Sequence, residues 1–352
     1  MSIKQFTVTG KTQRKMADKL LKKENLDKLI RSVKAKGGRV VAPVMDARQV
    51  VYKPVSGADE ITFDYILPRN SYKDFLFPQT EVIADFKIHK EGVELEGRTI
   101  DPVETVVFGA RPCEAASLAS LRAIFTWDFI DEYYTKREDK TLVMTVACTN
   151  GDEACFCTTV NLSPESTAGS DIMLKETTNG DYLVFPVTEK GKNFIAAHKE
   201  AFTDASKAEA KKLFFPEKIE GIDLEKIRER LARKDNYDDP VWAEMGRKCI
   251  GCGACTYVCP TCHCFDIIDE GTAFEGERRK NWDACQFDTF TLHASGHNPR
   301  DFQWKRWRNR FMCKFNIYPE KFSSKGCVGC GRCIRVCPVR LDITEVMEAM
   351  SK

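Results

Sequence analysis

Cys249-Ile-Gly-Cys252-Gly-Ala-Cys255-Thr-Tyr-Val-Cys259-Pro260 and Cys327-Val-Gly-Cys330-Gly-Arg-Cys333-Ile-Arg-Val-Cys337-Pro338 are two copies of one spelling, C-x2-C-x2-C-x3-C-P. This spacing wraps a [4Fe–4S] cubane. Three cysteines on one tight loop aim three sulfurs at three irons, and the glycines let the backbone turn sharply and bring N–H groups near inorganic sulfide. The proline ends the short helix after the fourth cysteine. That fourth cysteine usually serves the other cluster. The expected ligand sets are therefore Cys249, Cys252, Cys255 and Cys337 for one cubane, and Cys327, Cys330, Cys333 and Cys259 for the second. Structural zinc prefers two separated C-x2-C pairs, which these runs do not present.

The rest of the composition narrows the class. Basic and acidic residues nearly cancel, 54 against 52, so nothing in the charge calls for a nucleic acid or a membrane. No apolar run reaches the roughly eighteen residues that a spanning helix needs. The opening Met1-Ser-Ile-Lys-Gln-Phe is polar, with no signal-peptide core and no twin-arginine pair. A cytoplasmic location is expected, where cysteines serve metal or redox chemistry more often than disulfides. The fragility of cubanes further points to an anaerobic setting.

Along the chain, residues 11–36 carry apolar Met16, Leu20, Leu21, Leu26, Leu29 and Ile30 at helical spacing. Strand-like runs follow at Arg39–Ala42, Ile61–Ile66, Thr105–Gly109, Thr141–Val146 and Tyr182–Phe185. The dense apolar runs at 105 and 141 suit buried parallel strands. The helical stretch Cys113–Trp127 between them makes a βαβ unit. Residues 189–236 are rich in Lys, Glu and Ala and read as helices. The expected architecture is an α/β domain over 1–240, followed by an α-helical ferredoxin-like domain with two [4Fe–4S] clusters over 241–352. The long insert between the cysteine runs and the helical pattern of Ile343–Met350 favour that all-helical form over the compact one.

Four cysteines fall in the first domain. Cys113 closes the turn after one parallel strand, Cys148 follows the next, and Cys155 and Cys157 lie in the loop just beyond. Parallel strand ends share the sheet edge where ligand sites gather, so these four are read as the ligands of a third [4Fe–4S] cluster. Set against this is the ordinary reading of small buried thiols. Cys262, Cys264, Cys285 and Cys313 read as thiols packed near the clusters rather than as a further ligand set. His293 and His297 lie four apart but beside Gly296 and Pro299, outside any H-E-x-x-H pattern, so a zinc hydrolase is not expected. A basic run, Arg278-Arg-Lys280 and then Arg300, Lys305, Arg306, Arg308, Arg310 and Lys314, interleaves with Trp304 and Trp307. It reads as a solvated face, as a docking surface for an acidic partner or, least of all, as an RNA patch.

Larger stretches carry a resemblance: Val107-Phe-Gly-Ala-Arg-Pro-Cys113-Glu, Cys148, Cys155-Phe-Cys157, Pro260-Thr-Cys-His-Cys-Phe-Asp-Ile267, Trp282-Asp-Ala-Cys285 and His293-Ala-Ser-Gly-His-Asn-Pro-Arg300. From about residue 100 to the end, the chain resembles the β (iron–sulfur) subunits of cytoplasmic NAD(P)-linked [NiFe] hydrogenases (sulfhydrogenases) and their counterpart in anaerobic sulfite reductase. The resemblance implies an electron relay between a flavin subunit that meets NAD(P)H and a catalytic subunit such as a hydrogenase or sulfite reductase. No G-x-G-x-x-G follows a strand, no Walker loop occurs and no catalytic constellation is apparent. The chain is thus expected to be a non-catalytic subunit of an oxidoreductase complex. The alternative is a self-sufficient iron–sulfur reductase acting on a small substrate such as sulfite or polysulfide, at an open cluster or at the Cys262, Cys264 and Cys285 thiols.

Overall fold

The computed structural model describes residues 19–205 and 208–352. Its strands are β1 (Lys19–Leu21), β2 (Arg39–Asp46), β3 (Gln49–Val55), β4 (Thr80–His89), β5 (Gly92–Gly97), β6 (Thr105–Ala110), β7 (Thr141–Val146), β8 (Ile172–Glu176), β9 (Tyr182–Pro186), β10 (Phe202–Asp204), β11 (Phe265–Gly271) and β12 (Glu275–Trp282). They form two sheets. The larger runs β10-β1-β9-β8-β7-β6-β2-β3, and the smaller runs β11-β12-β4-β5.

At the centre of the larger sheet, β2, β6, β7 and β8 are mutually parallel. Every residue of β6 and β7 is buried, because both faces are covered. Val106 and Phe108, with Leu142 and Met144, face one core; Val107 and Val143 face the other. The βαβ unit is present, with its crossover split into two short helices, Pro112–Ala115 and Leu118–Phe125. The parallel register puts the ends of β6 and β7, and hence Cys113 and Cys148, at one edge of the sheet.

Three local expectations are corrected. The helix expected over 11–36 occupies only Leu26–Ala35; residues 11–18, Met16 among them, lie outside the described residues. Leu20 and Leu21 instead form β1, held between β9 and β10. Leu26, Leu29, Ile30 and Val33 form the buried stripe of that helix, and Ile30→Ala would cost about 2–5 kcal/mol. Ile61–Ile66 is not a strand; it crosses the ends of the parallel strands, and the Tyr65 hydroxyl donates to the Gly109 carbonyl. The segment 189–236 holds helices at Glu189–Ala197 and Leu224–Ala232 only. Between them lie β10 and an extended stretch in which the Phe214 N–H donates to the Cys148 carbonyl at 2.9 Å.

The region of the two cysteine runs is not wholly helical. Helix follows the second run at Ile343–Met350, but a hairpin, β11–β12, follows the first. Cross-strand pairs Asp269–Arg278 (2.7 Å) and Glu270–Arg279 (3.0 Å) support the hairpin. β12 adds to β4 of the first half, with a bulge between Arg278 and Arg279. The buried Lys280 ammonium fixes this junction, reaching Glu81 at 2.9 Å and Asp131 at 2.7 Å. Helices Leu224–Ala232, Pro240–Gly246, Gln303–Phe311 and Ile343–Met350 then enclose a second core built on Trp242, Trp307, Phe311 and Met347.

Candidate iron–sulfur centres

Each ferredoxin-type run folds as a loop entering a single helical turn, Ala254–Tyr257 in the first and Arg332–Val336 in the second. Gly329 and Gly331 hold φ of +63° and +71°, where a side chain would be strained. They also have no room: a Cβ on Gly329 would stand 2.5 Å from the Cys157 Cα, and one on Gly331 would stand 2.1 Å from the Ala154 carbonyl. The second run is thus pressed directly against the loop that carries Cys155 and Cys157.

The sulfur sets assemble across the two runs. Cys249, Cys252, Cys255 and Cys337 line one cavity, closed by Pro338, Leu341 and Trp307. Cys327, Cys330 and Cys333 gather with Cys259 from the first run. The fourth cysteine of each run is therefore placed with the first three of the other. Burial pushes the metal-free Cys255 and Cys330 thiols up to about 12, the expected behaviour of a thiol removed from water.

Cys113, Cys148, Cys155 and Cys157 also line a single cavity, at the edge where β6 and β7 end. Phe214, Pro216 and Pro164 shield it, and Cys330 lies on its far wall. The Phe156 N–H donates to the Gly329 carbonyl at 3.0 Å, tying this loop to the second run. Among the described residues, no three His, Cys, Asp or Glu side chains converge tightly enough for a single metal ion. Sulfurs spread around a void suit the corners of a cubane better than a tetrahedral zinc.

The surrounding charges fit such a group. A cubane held by four thiolates is anionic, and a buried anion needs cations or donors close by. Lys314 Nζ is buried and stands 3.3 Å from Cys259 Sγ, 3.8 Å from Cys262 Sγ, 2.9 Å from Thr261 Oγ1 and 3.0 Å from the Gly326 carbonyl. Arg310 is buried among Cys333, Cys255, Cys259 and Cys262. Its Nε has no hydrogen-bond partner among the described residues. Burial works against the charge of Arg310 and Lys314, yet nearby thiolates hold both pKa values well above their ordinary range. Lys73 donates to the carbonyls of Cys259 (2.9 Å) and Cys262 (2.8 Å).

The basic run is accordingly turned inward. Lys280, Arg308, Arg310 and Lys314 are buried, and Arg308 lies over the Tyr237 ring and donates to its carbonyl. Neither a solvated face nor an exposed docking stripe describes these four. Density of charge along the sequence cannot distinguish counter-ions for buried sulfur from cations facing water. His293 and His297 sit in an exposed turn with ring centroids 5.4 Å apart, away from the cysteine sets.

The remaining cysteines are also neighbours. Cys264 and Cys285 interact through their side chains, and Cys313 lies close to both. Cys285 is drawn down to about 6, chiefly by the hydrogen bond with Cys264 and further by Gln286, Arg310 and Lys314. His263, pushed down to about 4 by burial, shares a 2.8 Å hydrogen bond with the Tyr318 hydroxyl.

Comparison with known proteins agrees with this geometry. Residues 248–341 match the model of a 4Fe-4S dicluster domain. The chain is 32% identical over 320 residues to the sulfhydrogenase 2 subunit beta of Pyrococcus furiosus, a match that covers 88% of this chain and 92% of that protein. It therefore reaches well into the first hundred residues, beyond the span of the motifs that carry the resemblance. No solved structure matches. No helix among the described residues is long and apolar enough to cross a membrane. The chain belongs to the family of sulfhydrogenase β subunits, iron–sulfur proteins of hydrogenase complexes.

Proposed function

We propose that this chain is an electron-relay subunit of a cytoplasmic, anaerobic complex. It carries single electrons from a flavin-bearing, NAD(P)H-linked subunit to a catalytic redox subunit, or the reverse. The observation that carries the reading is the contiguity of its cysteine sets. Cys330 belongs to the second ferredoxin set and also lines the Cys113/Cys148/Cys155/Cys157 cavity. Cys333 belongs to the same set and also lines the Cys249/Cys252/Cys255/Cys337 cavity. The central set thus touches a candidate centre on either side, the arrangement a wire requires. In this reading the two ferredoxin-type sets hold one [4Fe–4S] cluster each with their fourth cysteines exchanged, and the first-domain set holds a third. The relative's name, a subunit of a sulfhydrogenase, supports a hydrogenase as the catalytic partner.

Bound cubanes would supply one-electron redox chemistry; the protein contributes thiolates, buried cations and exclusion of water. Hydride carries two electrons and must be divided by a flavin elsewhere. The test is anaerobic NAD(P)H oxidation with a viologen acceptor, using the purified chain with and without its flavoprotein. Slow or absent turnover alone, restored by the flavoprotein, is expected. Brisk flavin-free turnover by the chain alone would replace the relay with a self-sufficient reductase.

A further inference from the structure

Cys262, Cys264, Cys285 and Cys313 come from three separate segments, and each is brought to the same place by a definite backbone device. Cys262 follows the first run in a turn where its N–H donates to the Cys259 carbonyl at 3.3 Å, and Lys73 clamps both carbonyls of that turn. Cys264 precedes β11. The ladder of the hairpin extends one step beyond Phe265–Trp282, because the Asp283 N–H donates to the Cys264 carbonyl at 3.0 Å. That step delivers Cys285, two residues later, opposite Cys264. Cys313 lies in a π-helical segment, Met312–Ile317, inserted between Gln303–Phe311 and Tyr318–Phe322. Such widened turns are rare and recur at functional sites. Tyr318 closes the group, with Cys313, Cys262 and Cys264 all near its hydroxyl.

We propose that these four cysteines ligate a fourth iron–sulfur cluster. All sixteen cysteines of the chain then fall into four groups of four. The alternative, four unrelated buried thiols, leaves the cations around them without a purpose. Lys73 makes no ion pair with a carboxylate among the described residues; besides the two carbonyls it meets the Trp282 ring at 4.0 Å. Its sulfur neighbours are Cys262, Cys259 and Cys264. Lys314 touches Cys262 on one side and Cys259 on the other, so one ammonium would serve two adjacent clusters. Gln286 likewise joins this group to the first ferredoxin set. Its Nε2 lies 3.5 Å from Cys285 Sγ and its Oε1 lies 3.9 Å from Cys249 Sγ. His263 and Cys264 also reach a wide open groove lined by Phe265, Phe290 and Lys280. The new centre would therefore border both ferredoxin-type sets and lie beneath solvent-accessible surface.

The experiment is iron and acid-labile sulfide analysis with low-temperature EPR on the full chain, purified and reconstituted anaerobically, beside the double variant C285S/C313S. The expected wild-type content is about sixteen irons. The variant should lose about four while the remaining EPR signals persist. A wild-type content of about twelve or fewer that the double variant leaves unchanged overturns the proposal. So does a stoichiometric zinc, or a native Cys264–Cys285 disulfide found by non-reducing mass spectrometry. If the double variant fails to fold, the wild-type content decides alone: about sixteen supports the fourth cluster and about twelve refutes it.

Discussion

The ammonium of Lys314 stands 3.3 Å from the sulfur of Cys259, a cation placed against the residue that the first cysteine run contributes to the second set. Positive charge beside a cluster favours its reduced form. Lys314→Met should therefore lower the reduction potential of the cluster built on Cys327, Cys330 and Cys333. A shift on the order of 60 mV is expected, about tenfold in a one-electron equilibrium. An EPR-monitored redox titration measures it, and Lys314→Arg should recover most of the shift. An unchanged potential in both variants would show that the ammonium only fills space.

The placement of Cys259 with the Cys327 set and of Cys337 with the Cys249 set makes the two runs interdependent. Cys259→Ser should disturb the EPR signature of the Cys327 cluster first, and Cys337→Ser that of the Cys249 cluster. The opposite assignment would mean that each run keeps its own fourth ligand.

The first-domain cavity gives a count. Cys113→Ser or Cys157→Ser should remove about four irons relative to wild type, and the ferredoxin-type signals should survive. Iron content equal to wild type in both variants would leave those thiols as packing.

His198 offers a pH test remote from every cysteine set. It is buried, and its Nδ1 lies 2.8 Å from the Ser32 hydroxyl, which in turn donates to Glu200. Ser32 must then accept from the ring. Burial, and next the charge of Lys36, hold the His198 pKa below its ordinary value. Protons therefore bind the unfolded chain preferentially, and this contribution to stability is lost as pH falls through about 6.5. His198→Gln should flatten the dependence between about pH 7 and 5.5, read as the difference from wild type in denaturant midpoints. Parallel curves for the two proteins would rule the histidine out.

Much of this arrangement is legible in residue order. The doubled cysteine run carries its own spacing rule, and the dense apolar runs at 105 and 141 announce buried parallel strands, whose shared edge brings Cys113 and Cys148 together. The grouping of Cys264, Cys285 and Cys313 is not legible in the same way. It depends on the register of β11 against β12 and on a π turn at Cys313, neither of which leaves a local mark. Arg308, Arg310 and Lys314 mislead for a related reason. Cations spaced along a helix look solvated until the sulfur on the opposing loops is known. The hairpin after the first run contradicts helical continuation because Phe265–Gly271 gains its stability from a partner far away in the chain, β4 by way of β12.

That shared sheet bears on engineering. A cut near residue 240, meant to release the last third as a small free-standing ferredoxin, would strip β12 from β4 and bare an unpaired strand on each fragment. Both fragments would expose a ready template for intermolecular pairing, and Lys280 would leave Glu81 and Asp131 behind without their cation. Electron wiring and mechanical integrity are thus inherited together, and a transplant of the clusters into another scaffold must carry β4 and β5 along with the cysteines.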